Sequence, residues 1–253
     1  MKIIKYKKGA KGLYKVDLED GTVLSLYEEV ILKYNLLLSK EVDDSIKDEM
    51  FDYNLECEVY YVALNNIKAR AKSISDLRNY LLNKEYPSNL IDKAIDKLIN
   101  QGYLNDRSYA KSFINSQMVT SSHGPLKIER ELLDKKIDYK IIEEELEVFT
   151  EEEQLNKIDK IISKMIRSNH TRGGVVLKQK IFNDLKNYGY DVSVVNKIID
   201  DYDFNDGEDN IAKKEYDKLY TKYSRKYSGA ELQRKIKEKL YLKGLKYDPK
   251  END

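Results

Sequence analysis

The 253-residue chain is poor in the residues on which most catalytic and metal sites depend. It has one cysteine, Cys57, and two histidines, His123 and His170. A single cysteine excludes an internal disulfide and fits a reducing compartment. Neither histidine has a cysteine near it in the sequence, so we expect no zinc site. The paired acids lie in charged helical runs, without an apolar pocket to raise a pKa. We therefore expect no enzyme activity, no metal and no cofactor.

Long apolar runs are missing as well. No stretch approaches the roughly 20 apolar residues that a membrane helix needs. The N-terminal sequence MKIIKYKKGAKG lacks the apolar core of a signal peptide. The RGG segment at 172–174 lacks the GxxxxGK[ST] spacing of a phosphate-binding loop. These absences predict a soluble, cytoplasmic protein without a membrane partner.

Helix-breaking residues are scarce, with 3 prolines and 11 glycines, which favours long helices. The first fifty residues differ, because apolar and polar residues alternate around Asp20-Gly21, a strong β-hairpin signal. The run IIKYKK before it can add a third strand, and VILKYNLLL after it reads as one short helix. Asp43 or Asp44 can begin the next helix. We expect this small sheet to pack against the first helices, because so few strands are not stable alone.

The remaining chain contains a helical pattern that recurs roughly every 50 residues. In each copy, two apolar residues lie four positions apart and a large apolar residue follows after a polar pair or triplet. The pairs are Leu77/Leu81, Ile128/Leu132, Ile181/Leu185 and Ile236/Leu240, and the closing residues are Tyr86, Ile137, Tyr190 and Leu245. A second amphipathic helix follows in the first three copies, after a capping residue at Ser88, Asp138 or Asp191.

A third helix completes each unit. Thr150 with Glu153 and Ser228 with Glu231 have the spacing of capping boxes. The sequence thus predicts a mainly α protein of tandem three-helix repeats forming an elongated curved array, with a small N-terminal β-hairpin segment. We expect an N-terminal hairpin and short helix, three complete repeats, and a partial fourth repeat with a basic C-terminal helix. Their expected ranges are 1–51, 52–105, 106–149, 150–206 and 207–253.

The stretch GYLNDRSYAKSFI at 102–114 predicts a joint between two helices. Gly102 can end one helix, Tyr103 and Leu104 can fold back into the core, and Asp106 can cap the next helix. We expect this polar seam to be structural and not a ligand site.

Three segments in order, AKSISDLRNYLLNKEY, INQGYLNDRSYAKSFI and GPLKIERELLDKKI, resemble the RecX family of recombination regulators. The resemblance runs from about Ala63 to Leu245. The family usually has Lys-Gly after the repeated helix, which here is found only at Lys243-Gly244. The resemblance implies a monomeric regulator in DNA repair, recombination and the SOS response. Such a protein binds the RecA filament on single-stranded DNA and lowers its ATPase, strand-exchange and LexA-coprotease activities.

Basic residues are the candidate contacts with RecA or with DNA phosphates. Twelve bases and four acids lie between Lys213 and Lys246, a formal charge of +8 within a chain of zero net charge. The candidates are Arg70, Lys72, Arg78, Arg225, Lys226, Arg234, Lys235, Lys237, Lys239 and Lys243, with Lys68 beside the first of them. A merely solvated surface is the simpler explanation of such charge. A stand-alone helical nucleic-acid-binding protein is the alternative function, which the zero net charge disfavours.

Overall fold

A computed structural model describes residues 1–10 and 12–247 of the protein. The chain begins with an antiparallel sheet of three strands, β1 (Ile3–Lys8), β2 (Leu13–Leu18) and β3 (Val23–Tyr27), in the order β1-β2-β3. Gly21 lies in the turn between β2 and β3 with a φ of +84°, a left-handed value that glycine adopts readily. The predicted hairpin and the third strand over IIKYKK are both confirmed.

The sheet packs against the helices that follow it, as expected. These are α1 (Glu28–Lys33), α2 (Leu36–Ser39) and α3 (Lys47–Ala69), with Asp43 capping a short 3₁₀ turn before α3. Their shared core is apolar and includes Val16, Leu26, Val30, Leu36 and Met50, each fully buried. The expectation of one helix over VILKYNLLL is wrong, because Asn35 takes a left-handed φ of 52° and separates α1 from α2.

The free edge of β3 is covered by one side chain of α3. The Asn54 amide nitrogen donates to the Ser25 carbonyl (3.1 Å), and its Oδ1 accepts from the Tyr27 N–H (3.0 Å). A side-chain amide thereby supplies the pairing that another strand would give, which protects an edge prone to association.

Ten further helices follow within the described residues. They are α4 (Ile74–Leu82), α5 (Ser88–Asn100), α6 (Asp106–Thr120), α7 (Pro125–Asp134), α8 (Tyr139–Leu146), α9 (Glu151–Arg167), α10 (Gly174–Asn187), α11 (Val192–Ile199), α12 (Glu208–Tyr223) and α13 (Gly229–Tyr241). Within the part of the chain that the structure describes, none of the helices is long and apolar enough to cross a membrane. Mainly helical repeats after a small sheet are what the sequence predicts.

The apolar pairs that recur in the sequence repeats lie in the core. All eight residues of the four predicted pairs, from Leu77 to Leu240, have 0–1% of their surface exposed. Around the first pair, α3, α4 and α5 share one apolar cluster that also contains Ile95 and Leu98. Of the closing residues, Ile137, Tyr190 and Leu245 are buried, and Tyr86 packs at the edge of the first cluster.

Some of the helix-capping residues predicted from the sequence are confirmed and others are wrong. Asp138, Thr150 and Asp191 accept hydrogen bonds from backbone N–H groups two or three residues on, as predicted. The prediction for Ser88 is wrong, because Pro87 occupies the cap position and Ser88 is already helical. Ser228 precedes α13 but accepts no capping hydrogen bond, so the predicted box with Glu231 does not form.

The four repeated turns share an unusual backbone conformation. Glu85, Lys136, Gly189 and Gly244 occupy the same place in the repeat, and all have a φ between +60° and +86°. Glycine adopts this left-handed conformation without strain, whereas other L-residues lose about 1–2 kcal/mol. The first two repeats therefore carry strain that the last two avoid.

We expect Glu85→Gly and Lys136→Gly each to stabilise the protein by about 0.5–1 kcal/mol. Relief of the left-handed strain outweighs the greater chain entropy that glycine adds to the unfolded state. Urea unfolding followed by circular dichroism measures the change. Asn83→Gly is the control, since Asn83 has an ordinary φ of −66° and its replacement should only destabilise. Equal losses at Asn83 and Glu85 would contradict the prediction.

The contacts divide the chain into two compact units. The first contains Met1–Ala110 and Leu133–Ile141, and the second contains Lys111–Leu132 and the chain from Ile142 onward. The hairpin sheet and the Leu77 core belong to the first unit, and the C-terminal helices belong to the second.

Candidate functional site

The basic C-terminal region folds as a helical hairpin of α12 and α13. Leu232, Ile236 and Leu240 of α13 are buried with Ala212 and Leu219 of α12. The four-residue spacing of the α13 leucines and isoleucine predicts this apolar stripe, which is confirmed. The polar residues of α13 consequently lie on its other faces.

The predicted contact residues in the hairpin differ in their surroundings. Arg225 and Lys226, in the turn between the two helices, and Arg234 and Lys237 of α13 are exposed. Lys235 and Lys239 are half-buried, and Lys235 Nζ lies 3.4 Å from a Glu238 carboxylate oxygen. The exposed bases can meet a polyanion without unfolding the hairpin.

Lys243 pairs with a buried side chain of the hairpin and so contributes to the fold. It forms an ion pair with Glu215 of α12, whose side chain is only 5% exposed, and Lys218 Nζ lies 3.7 Å from the other Glu215 oxygen. Because an unpaired carboxylate is costly inside an apolar cluster, Lys243 stabilises the hairpin. The Lys243 carbonyl also accepts a hydrogen bond from the Gly173 N–H (2.8 Å).

Glycines make two close backbone joints in the second unit. The Gly124 N–H, just before α7, donates to the Tyr188 carbonyl (2.7 Å), as Gly173 before α10 does to Lys243. A Cβ on Gly124 would lie 2.6 Å from the Gly189 oxygen, and one on Gly173 would lie 2.1 Å from the Gly244 oxygen. The RGG segment at 172–174 is therefore part of a helix-docking joint.

The candidates in the first repeat do not form one free surface. Lys68 and Arg70 are exposed at the end of α3, and Lys72 is half-buried. Arg78 of α4 forms an ion pair with Asp92 of α5. Arg70 is thus the most accessible predicted contact here, and Arg78 already links two helices.

His123 lies in the loop before α7, and Pro125 is the first residue of that helix. His123 Nδ1 is 3.1 Å from a Glu131 carboxylate oxygen. Among the described residues, no group of three or more His, Cys, Asp or Glu side chains could hold a metal ion.

The seam at 102–114 is a joint, but Asp106 acts differently from the prediction. Asn105 Oδ1 accepts from the Ser108 N–H (2.9 Å) and caps α6, while Asp106 Oδ1 accepts from the Ile74 N–H (2.9 Å) at the start of α4. The capping prediction for Asp106 is therefore wrong for α6. Tyr103 is 54% exposed, so its predicted return to the core is also wrong, whereas Leu104 is buried.

A second carboxylate repeats this arrangement. Glu208, the first residue of α12, accepts a hydrogen bond from the Gly174 N–H (2.7 Å) at the start of α10. Asp106 and Glu208 thus each bind the N-terminus of another helix in their unit. Sequence reasoning missed this role, although the acid at the first position of both helices is a usable signal.

We expect Asp106→Ala to destabilise the fold by about 1 kcal/mol, because the Ile74 N–H loses its acceptor. Asp106→Asn keeps an acceptor oxygen and should cost less. Neither variant should, while folded, lose the regulatory activity that the family resemblance implies. Urea unfolding and an activity assay on the same preparations measure both. A variant with normal stability and no activity would show that the seam contacts a partner.

The effect of Asp106 on stability should depend on pH, because its pKa is shifted in the folded state. Burial raises the pKa of Asp106, against the lowering effect of the Ile74 hydrogen bond. The folded state therefore keeps this proton to higher pH than the unfolded state does. The contribution of Asp106 to stability should fall as pH rises between the ordinary pKa and the folded pKa. Asp106→Asn should remove this pH dependence, because the asparagine amide has no proton to lose in this range.

Comparison with known proteins connects these helices to a family. A family model described as "RecX, second three-helix domain" matches residues 105–146, which contain α6, α7 and α8. A "Regulatory protein RecX" of Lactococcus lactis subsp. cremoris (strain SK11) is 32% identical over 95% of this chain and 93% of its own length. This chain belongs to the RecX family. A "Regulatory protein RecX" of Streptococcus gordonii (strain Challis) is 30% identical over 98% of this chain and 96% of the relative.

Solved RecX structures agree with the fold. One, described as "Crystal structure of regulatory protein RecX", aligns with a TM-score of 0.66 and 25% identity, over 79% of this chain and 99% of that chain. RecX from Lactobacillus salivarius aligns with a TM-score of 0.55 and 26% identity, over 59% and 97%. The resemblance drawn from the three sequence segments is confirmed.

Proposed function

We propose that this RecX-family protein binds the RecA filament on single-stranded DNA and lowers its ATPase, strand-exchange and LexA-coprotease activities. It acts as a cytoplasmic monomer without a cofactor. Membership of a family of regulatory proteins supports the regulatory role. The observation that carries the contact is the C-terminal hairpin, where Arg225, Lys226 and Arg234 are exposed beside a buried apolar stripe.

The physical basis of this binding is electrostatic. Exposed lysines and arginines attract an acidic protein surface or DNA phosphates and raise the rate of encounter. Tandem helical repeats also allow several weak contacts along one filament, and linked contacts raise the total affinity. A protein of zero net charge can thereby prefer the filament to free nucleic acid.

The test is the steady-state ATPase of RecA on single-stranded DNA with the protein at substoichiometric amounts. We expect each added molecule to inhibit the ATPase of more than one RecA protomer, because one bound molecule can affect a continuous filament. Binding to naked single-stranded DNA in the same buffer distinguishes the alternative function. Strong binding to naked DNA with an unchanged RecA ATPase would support a stand-alone nucleic-acid-binding protein instead.

A further inference from the structure

We propose that a cleft in the first unit binds the guanidinium group of an arginine from a partner protein. The inference does not depend on the proposed function or on the C-terminal hairpin. The cleft has a volume of about 640 Å³ and lies between the sheet, α3 and α4. Ligand sites commonly fall between roughly 300 and 1,000 Å³. Its lining combines tyrosines, amides and a carboxylate, a set suited to a planar cation.

Aromatic rings form part of the wall. Tyr27 and Tyr61 stack with ring centroids 4.9 Å apart and planes 6° from parallel, and Tyr80 of α4 also lines the cleft. The face of an aromatic ring attracts a cation, and a guanidinium can also stack on it. Lys84 Nζ lies 5.4 Å from the Tyr80 centroid, so one ring in this cleft already holds a cation.

One residue of the same wall has a side-chain hydrogen-bond acceptor without a partner. Asn66 Oδ1 is buried and has no hydrogen-bond partner among the described residues. A buried acceptor without a donor costs about 1–3 kcal/mol. A ligand that brings N–H groups into the cleft would remove this cost once the Asn66 side chain turns its buried oxygen toward them. Asn65, which also lines the cleft, uses its amide nitrogen to bond the Tyr61 carbonyl (2.7 Å).

The carboxylates around the cleft favour a positive ligand. Glu58 lines it and accepts a hydrogen bond from Tyr86 through Oε1 (2.7 Å). Glu29 does not line the cleft but accepts a hydrogen bond from the Tyr61 hydroxyl (2.5 Å), while its Oε2 is buried without a partner among the described residues. Hydrogen bonding and burial raise the pKa of Tyr61 and of Tyr86. Both hydroxyls therefore stay neutral at physiological pH and donate to the carboxylates.

An arginine fits these features better than a lysine or a nucleotide does. Its guanidinium presents five N–H donors in one plane and stacks on aromatic rings, whereas an ammonium is a compact point charge. A nucleotide phosphate would be repelled by Glu58 and Glu29. The occupant we infer is therefore an arginine side chain on a protein surface.

The experiment is an NMR titration of the isotope-labelled full chain with Nα-acetyl-arginine amide. We expect saturable shifts of the Asn65 and Asn66 side-chain amides and of residues around Tyr80. Nα-acetyl-citrulline amide has almost the same shape without the charge and should bind at least about tenfold more weakly. Adenosine tests a nucleobase ligand. Equal binding of citrulline amide or adenosine, or no saturable shift with the arginine probe, would overturn the proposal.

Variants separate the ligand role from packing. Asn66→Leu removes the unsatisfied oxygen, so it should raise the thermal midpoint of the free protein and abolish probe binding. Glu58→Gln keeps an acceptor for Tyr86 but loses the charge, and should weaken binding severalfold. Lys84→Gln removes a competing cation and should tighten it.

The Arg225→Glu/Lys226→Glu variant provides a check on independence. It should bind the arginine probe normally whether or not it still inhibits RecA, since the cleft contains neither residue. Wild-type probe affinity in both Asn66→Leu and Glu58→Gln would refute the site. Loss of probe binding in the Arg225 variant would refute a site confined to the cleft.

Discussion

Lys243→Ala is expected to lower the free energy of unfolding by about 3–5 kcal/mol, the cost of leaving a buried charge without its partner. The Glu215 carboxylate is 5% exposed and belongs to a helix whose neighbouring residues Ala212 and Leu219 form an apolar cluster. Lys218 compensates only in part, because its Nζ lies 3.7 Å from the other carboxylate oxygen and its side chain is 73% exposed.

Urea unfolding followed by circular dichroism measures this loss. Lys246→Ala is the matched control, because Lys246 is exposed and its loss should change stability by no more than about 0.5 kcal/mol. Glu215→Leu combined with Lys243→Met should recover most of the stability, since apolar residues can replace a buried ion pair at little cost. A stable Lys243→Ala protein would show that Lys218 or water is a sufficient partner for the Glu215 carboxylate.

A Lys243→Ala protein that fails to bind a partner would have lost its hairpin and not a contact. Lys243 is followed by Gly244, whose φ of 72° and close approach to the Val176 side chain make the turn intolerant of a Cβ. The Lys-Gly pair in the last repeat is therefore explained by folding.

The helical core could be predicted because it is encoded locally. Residues four apart, such as Leu77 and Leu81, lie on the same helix face whatever the rest of the chain does. The hairpin around Asp20-Gly21 is local for the same reason. The single helix expected over VILKYNLLL failed because Asn35 takes a left-handed φ of 52°, a conformation that asparagine adopts more readily than most residues and that the apolar pattern does not report.

The less predictable features depend on partners distant in sequence. Asp106 bonds Ile74 and Glu208 bonds Gly174, each 32 or 34 residues away. A capping pattern read along the chain assigns such an acid to its own helix. For the candidate site, composition located the basic region, but only the fold distinguishes the exposed Arg234 from Lys243, which is held by Glu215.

Reversing the exposed charges of the hairpin should weaken filament binding about tenfold or more at low salt. The variant is Arg225→Glu/Lys226→Glu/Arg234→Glu, which changes the formal charge by −6, two for each residue. These side chains are exposed, and the buried stripe from Leu232 to Leu240 is untouched, so the helical content should remain normal. Losing attraction and adding repulsion at a charged rim slows association and weakens the complex.

The matched control is Lys160→Glu/Lys164→Glu/Arg167→Glu, three exposed bases of α9 with the same total change. Co-pelleting with RecA filaments over a salt series measures both variants. If the three hairpin residues contact single-stranded DNA, the slope of log affinity against log salt should become shallower by about 2, since each phosphate contact contributes roughly 0.7. A slope that stays the same while affinity falls would place the contact on acidic RecA side chains. Unchanged affinity in a folded hairpin variant would instead direct attention to Lys237 of α13 and to Lys68 and Arg70 at the end of α3, because these are the remaining exposed bases among the predicted contacts.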